Sequence, residues 1–180
     1  MGIAVCVDEP HHHLARRSSS AWAKYAAVLL VGAYGGLGIH SLLNIQQLFP
    51  GQFKNCVFVS IGVIDSATMK GVEEVDRVMA KTRESLERYV SLARRLGLPA
   101  TFRMRLGTEV VETAVEQCRE IAKEFRSPIF FASKLVFQEE HWYQSLLHNE
   151  TGYQIQRSLQ LLGLATVVLP VRVFSGPRAA

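Results

Sequence analysis

The stretch LLVGAYGGLGIHSLL, Leu29 to Leu43, decides how this sequence folds. An apolar run leads into four glycines within seven residues (Gly32, Gly35, Gly36 and Gly38), and a second apolar run follows. It reads as a phosphate-cradling turn, a piece of membrane helix, or a tight bend. No Asp, Glu, Lys or Arg occurs from Tyr25 to Phe53, and Arg16, Arg17 and Lys24 come just before, which is the pattern of a positively flanked membrane span. Against that, only about fifteen residues are predominantly apolar before His40, Ser41 and Asn44, whereas a span needs ~20. Each glycine would also weaken a lone helix by about 1 kcal/mol. A strand ending in a glycine turn that opens a helix accounts for the stretch better.

The rest of the chain supports that reading, because short β-rich runs alternate with longer helical periods. Strands are expected at Tyr25–Ala33, Asn55–Asp65, ATFRMRLGT, PIFFASKLVF and ATVVLPVRVF. Between them, GLGIHSLLNIQQLF places Leu37, Leu42, Leu43 and Ile45 near a helical spacing. A long amphipathic helix carries Val72, Val75, Met79, Leu86, Val90 and Ala93, and Gly97 and Pro99 stop it. EVVETAVEQCREIAKEF turns Val111, Ala114, Cys118, Ile121 and Phe125 inward, and residues 138–162 are mostly helical with a break at HNETG. The third strand alternates as a half-buried strand does. A β-α-β-α-β-α-β-α-β order implies an open five-stranded parallel sheet with helices on both faces. Residues 1–21 read as a flexible tail and linker, 22–175 as one α/β domain and 176–180 as a second tail.

Bulk properties exclude several function classes. A formal net charge of +4 with scattered basic residues does not suggest nucleic acid. Cys6, Cys56 and Cys118 are odd in number, far apart and free of any CxxC, which argues against a disulfide framework or a zinc site and for reduced thiols in the cytoplasm. His11–His13 reads as tail sequence, and His141 and His148 with their neighbouring glutamates lack a tight metal-ligand spacing. No Ser/His/Asp or Cys/His pairing stands at a strand end, so no catalytic residues are expected and the protein is read as a non-enzyme.

Ligands of open α/β sheets sit beyond the carboxyl ends of the strands, at the switch point of the strand order. The candidate binding residues are therefore the turn residues Gly32, Tyr34, Gly35 and Gly36, then Asp65 at the end of the second strand, then His148, Asn149 and Thr151 at the HNETG break. Glycines after a strand let backbone N–H groups approach an anion, and Asn149 or Thr151 would cap the last helix. The spacing Gly32-x3-Gly36-x-Gly38 with Asp65 also mimics a nicotinamide-cofactor turn, so an oxidoreductase is an alternative. The chain offers no Tyr-x3-Lys pair after the fourth strand for that chemistry. A structural dimerisation module is a further alternative.

The stretches YAAVLLVGAYGGLGIHSLLNIQQLFPGQFKNCVFVSIGVIDSATMKG, LARRLGLPATFRMRLGTEVVE and WYQSLLHNETGYQIQRSLQ, with the final VVLPVRV, resemble a known family. The fold resembles the universal stress proteins. More narrowly, the chain resembles the C-terminal domain of bacterial permeases of the amino acid–polyamine–organocation superfamily, over about residues 22–174. This resemblance implies the sheet order 3-2-1-4-5. It also implies a regulatory, ligand-sensing cytoplasmic domain at the inner face of the cell membrane, associated with an amino-acid or cation transporter in cis or in trans. ATP-binding universal stress proteins carry an Asp just after the first strand, and Gly32 stands there in this chain. Their glycine-rich motif after the fourth strand is replaced by SKLVFQEEHWYQSLLHNETG. The resemblance therefore points away from ATP binding of the usual kind, and the cleft is expected to take a different nucleotide, such as another adenine nucleotide or a cyclic dinucleotide, or no ligand. It also implies a homodimer through the last strand, Val167–Phe174.

Overall fold

The structure is a computed structural model, and it describes residues 6–8, 25–64, 72–137 and 150–173. Its strands are β1 (Cys6–Asp8), β2 (Ala26–Leu30), β3 (Asn55–Val63), β4 (Ala100–Gly107), β5 (Ile129–Phe137) and β6 (Thr166–Val173). Its helices are α1 (Gly36–Leu48), α2 (Val72–Arg95), α3 (Val110–Glu124) and α4 (Glu150–Leu161). They form one sheet in the order β1-β4-β3-β2-β5-β6. The last five of these strands run parallel to their neighbours, and counted along the chain from β2 they follow the expected order 3-2-1-4-5. The opening stretch is therefore strand, turn and helix. No helix among the described residues is long and apolar enough to cross a membrane.

Alternation along the strands sorts side chains to two cores. On β2, Ala27 and Leu29 face the side covered by α1 and α2, where they meet Leu42, Ile45, Leu86, Tyr89 and Phe102. Ala26 and Val28 face the other side and meet Ala114, Cys118, Ile121, Ile155 and Leu159 of α3 and α4. Burial on both faces explains why β2 and the first part of β3 read as unbroken apolar runs. Each such Leu or Phe contributes roughly 1.5–3 kcal/mol relative to exposure.

Gly97 and Gly163 end α2 and α4 at φ values of 78° and 73°, a conformation that costs glycine nothing. In both cases the next residue's N–H reaches back into the helix: Leu98 to the Ala93 carbonyl at 3.0 Å and Leu164 to the Leu159 carbonyl at 2.9 Å. This double closure turns the chain abruptly towards the following strand.

Three features differ from the sequence reading. Leu37 and Leu43 of α1 are exposed, because its inner face is built from Gly38, Ser41, Leu42 and Ile45 instead. The strand β4 is buried on both faces rather than half-buried. Its polar positions Arg103 and Arg105 are covered by α3, whose carboxylates meet them: Arg103 donates to Glu124 at 2.9 Å, and Arg105 to Glu116 at 3.3 Å and Glu120 at 2.6 Å. Alternation signals the two faces of a strand, but it does not say whether a charged helix covers the polar one. Third, Cys6–Asp8, inside the expected tail, pairs antiparallel with Arg103–Arg105 and extends the sheet by one strand. Pro170 lies within an unbroken register between β5 and β6, opposite Lys134. An edge strand tolerates proline because one side of its backbone needs no partner in the sheet.

Candidate functional site

The register places the carboxyl ends of β2, β3 and β5 side by side. From β2 the chain crosses to β3 on one side, and β5 enters later on the other, so β2 marks the switch point. A cleft of about 450 Å³ opens there. Gly32 and Ala33 after β2, Leu37 and Gly38 of α1, Val110 and Ala114 of α3, Ser133 of β5, and Thr151 and Gly152 of α4 contribute to its walls. Leu30, Val31, Val59, Ile61 and Ile155 make much of the lining apolar. A second, more open groove of about 410 Å³ lies along α2 beside Phe102, away from the strand carboxyl ends.

One side chain organises the glycine turn. Tyr89 reaches it from α2 and is 1% exposed. Its hydroxyl donates to the Ala33 carbonyl at 3.1 Å and accepts from the Gly35 N–H at 3.2 Å. Burial pushes the phenol above its ordinary pKa, with the Gly35 hydrogen bond acting against that shift. The Tyr89 ring stacks on Phe58 with centroids 5.4 Å apart and meets the tilted Tyr34 ring at 4.8 Å. The Arg88 guanidinium sits 4.1 Å from the Tyr34 centroid, within cation–π range. Gly38 is what lets Tyr89 in: a Cβ there would come 2.6 Å from the phenol Cζ.

Two more groups give the cleft polar character. Ser41 donates to the Leu37 carbonyl at 2.7 Å, so the 2.5 Å contact with Ser133 is a bond donated by Ser133. That leaves the Ser133 oxygen with spare acceptor capacity in the cleft wall. The first turn of α1 has no side-chain cap, and its N-cap Gly35 is extended. The leading N–H groups of a helix lack intrahelical partners, so this end favours an anion or an acceptor. Gly32 has no atom within 4 Å of where a Cβ would stand, which leaves its backbone open to an incoming molecule.

The expected site residues separate into three groups. Gly32 and Thr151 line the cleft. Tyr34, Gly35 and Gly36 stand behind the turn: Tyr34 packs on Tyr89, Gly35 is tied to the Tyr89 hydroxyl, and Gly36 opens α1. Asp65, His148 and Asn149 lie outside the described residues, as do His141 and the glutamates beside it. α4 begins at Glu150, so Thr151 belongs to its first turn rather than to its cap. Among the described residues no three His, Cys, Asp or Glu side chains are grouped to hold a metal ion. The sequence reading missed Tyr89 and the start of α3. A tyrosine in the apolar stripe of a charged helix looks like core, and here it is core at one end and wall at the other.

No protein-family model matches this sequence, and no curated protein does. Solved structures do match it. A universal stress protein family protein from Burkholderia pseudomallei aligns with a TM-score of 0.54 at 15% identity, covering 86% of this chain and 100% of that one. The universal stress protein from Archaeoglobus fulgidus, solved in complex with dAMP, aligns at 0.52 and 11% identity over 81% of this chain and 96% of that one. A universal stress protein family protein from Arabidopsis thaliana, solved with AMP bound, aligns at 0.51 and 9% identity over 81% and 91%. At such identities the likeness speaks for the fold, and the strand order and switch-point cleft agree with it: this chain has the universal stress protein fold.

Proposed function

We propose that the protein is a ligand-sensing module whose cleft receives an adenine nucleotide. The observation that carries this reading is the position of the 450 Å³ cleft at the switch point, between the glycine turn and the first turns of α1 and α4. Its apolar walls suit a base, and the uncapped start of α1 suits a phosphate. Two structures of the same fold were solved with dAMP and AMP, which supports the choice of adenine. By the resemblance, Gly32 takes roughly the place of the Asp of ATP-binding universal stress proteins, so a nucleoside monophosphate or a cyclic dinucleotide is preferred over ATP. The chain acts by binding and performs no chemistry on its ligand.

The permease resemblance of three stretches supports a second element of the proposal: the module works in the cytoplasm beside a membrane transporter. Its copies pair through Val167–Phe174. β6 has β5 on one side, and among the described residues nothing pairs with its other side.

Thermal-shift and calorimetric titration with AMP, ADP, ATP and cyclic di-AMP test the nucleotide reading. One of these ligands is expected to stabilise the protein by on the order of 2.7 kcal/mol at a hundredfold excess over its dissociation constant. Gly32→Leu, whose side chain would enter open space in the cleft, is expected to fold normally and lose that response. No response to any of the four ligands would overturn the reading.

A further inference from the structure

The end of the molecule opposite the cleft has its own chemistry. All five parallel strands begin there in register: Ala26 lies beside Asn55, Cys56 beside Ala100, Ala27 beside Ile129, and Phe130 beside Thr166. Hydrogen bonds between the entering loops hold this end together, from Lys54 N–H to Tyr25 O at 3.2 Å, Cys56 N–H to Pro99 O at 2.9 Å and Phe130 N–H to Ala165 O at 2.9 Å. Every described helix also ends here.

This pole exposes large apolar side chains that nothing in the described fold covers. Leu161 is 80% exposed and Leu48 61%, with Tyr25, Leu96 and Leu162 each above 40%. They come from three separate helix ends and one strand start, so no single amphipathic helix accounts for them. The charges at this pole are one-sided. Lys54, Arg95, Lys123 and Arg126 are exposed in the same loops and last helical turns, where the carboxylate present is Glu124, already paired with Arg103. These side chains outweigh the partial negative charge that helix C-termini bring to such a surface. In the sequence, Arg16, Arg17 and Lys24 run directly into Tyr25.

Exposed leucines and a tyrosine set among cations at one pole match the interface of an anionic bilayer. We infer that this pole docks on an anionic lipid surface, with its leucines entering the headgroup boundary and its cations facing lipid phosphates, while the cleft points away from the membrane. Charge complementarity selects this occupant: a cationic pole gains from a surface of fixed negative sign, and the apolar side chains gain from the acyl boundary beneath it. The inference deepens the membrane placement proposed above and does not depend on the cleft's ligand. Failure of vesicle binding and failure of nucleotide binding are therefore read separately.

The test is co-sedimentation of the full chain with vesicles of equal parts phosphatidylcholine and phosphatidylglycerol, against pure phosphatidylcholine, at low and high salt. Binding is expected to the anionic vesicles and to weaken with salt. Each cation neutralised should lower affinity about fivefold, so Lys54→Gln/Arg95→Gln/Arg126→Gln should lower it on the order of a hundredfold. Leu48→Ser/Leu161→Ser should release the protein, whereas Leu43→Ser, exposed on the flank of α1, should not. These surface variants are checked for unchanged thermal midpoints. Three results would overturn the inference. The first is no binding to anionic vesicles at low salt, which leaves a protein as the occupant of this pole. The second is binding that survives both multiple variants, which assigns it to the basic stretch before Tyr25 alone. The third is equal loss with Leu43→Ser.

Discussion

Gly38→Ala sets two effects of opposite sign against each other. In a helix interior alanine is favoured over glycine by about 1 kcal/mol. At Gly38 the added Cβ would lie 2.6 Å from Cζ and 2.8 Å from Cε1 of Tyr89. The ring cannot swing into solvent, because it is 1% exposed and stacked on Phe58. Forcing a methyl into packing this tight costs roughly 1–3 kcal/mol. Displacing the ring also loosens its hydroxyl from Ala33 and Gly35, at about 1 kcal/mol per bond. Subtracting the propensity gain leaves a net loss of roughly 2–4 kcal/mol. Gly36→Ala, two residues earlier, is the control. Its Cβ would meet only His40 Cδ2 at 3.9 Å, an ordinary contact, so the variant should be neutral or slightly stabilised. Urea unfolding measures both, read as midpoint shifts at constant slope. Repeating Gly38→Ala in a Tyr89→Leu background should recover much of its cost, as residues in contact are energetically coupled. If Gly38→Ala proves as stable as Gly36→Ala, the account of Tyr89 as the brace of the turn is wrong.

Other predictions concern buried groups. Burial pushes the Cys118 thiol up to about 12 and raises that of Cys56 further still. Native protein should therefore present at most one of its three thiols, Cys6, to a thiol reagent at neutral pH, and all three once unfolded. The same shifts make the folded state hold protons that the unfolded chain releases. Stability is complete below about pH 9 and should fall as pH rises above it, which denaturation across that range would detect. The ion pairs of Arg105 are asymmetric, because its side chain is 9% exposed and its glutamates are about half exposed. Glu116→Gln/Glu120→Gln, which takes two carboxylates away from a buried cation, should cost on the order of 2 kcal/mol and more than Arg105→Leu, which leaves the glutamates to water. Urea midpoints of the two variants decide the order. Gly32→Asp, placing a carboxylate in open space at the cleft, should fold like the parent and alter the nucleotide preference in calorimetry.

Much of the fold was legible because each element carries its own period. The stripe Leu86, Val90 and Ala93 is buried where expected, and Ala114, Cys118 and Ile121 meet the opposite face of the sheet. Legibility failed where a residue's neighbours come from far along the chain. Arg103 and Arg105 read as solvent-facing because no local pattern announces the glutamates of α3. The sequence drew attention to Gly32, Gly36 and Gly38 together as one familiar spacing, yet of these three only Gly38 is tightly packed. Its reason is Tyr89, more than fifty residues away. The cleft was located through topology, since the switch point follows from strand order, whereas nothing in the residues flanking Tyr89 signalled its place in the cleft wall.

The central claim is that the cleft beside the glycine turn binds an adenine nucleotide. Its most direct test is a titration of isotope-labelled protein with AMP, followed by amide NMR. The account predicts saturable shifts concentrated at Gly32, Ala33, Gly38, Ser133, Thr151 and Gly152, with Leu48, Leu96 and Leu162 at the opposite pole unmoved. Shifts confined to that pole or scattered without saturation would contradict it, and so would a spectrum that AMP leaves unchanged.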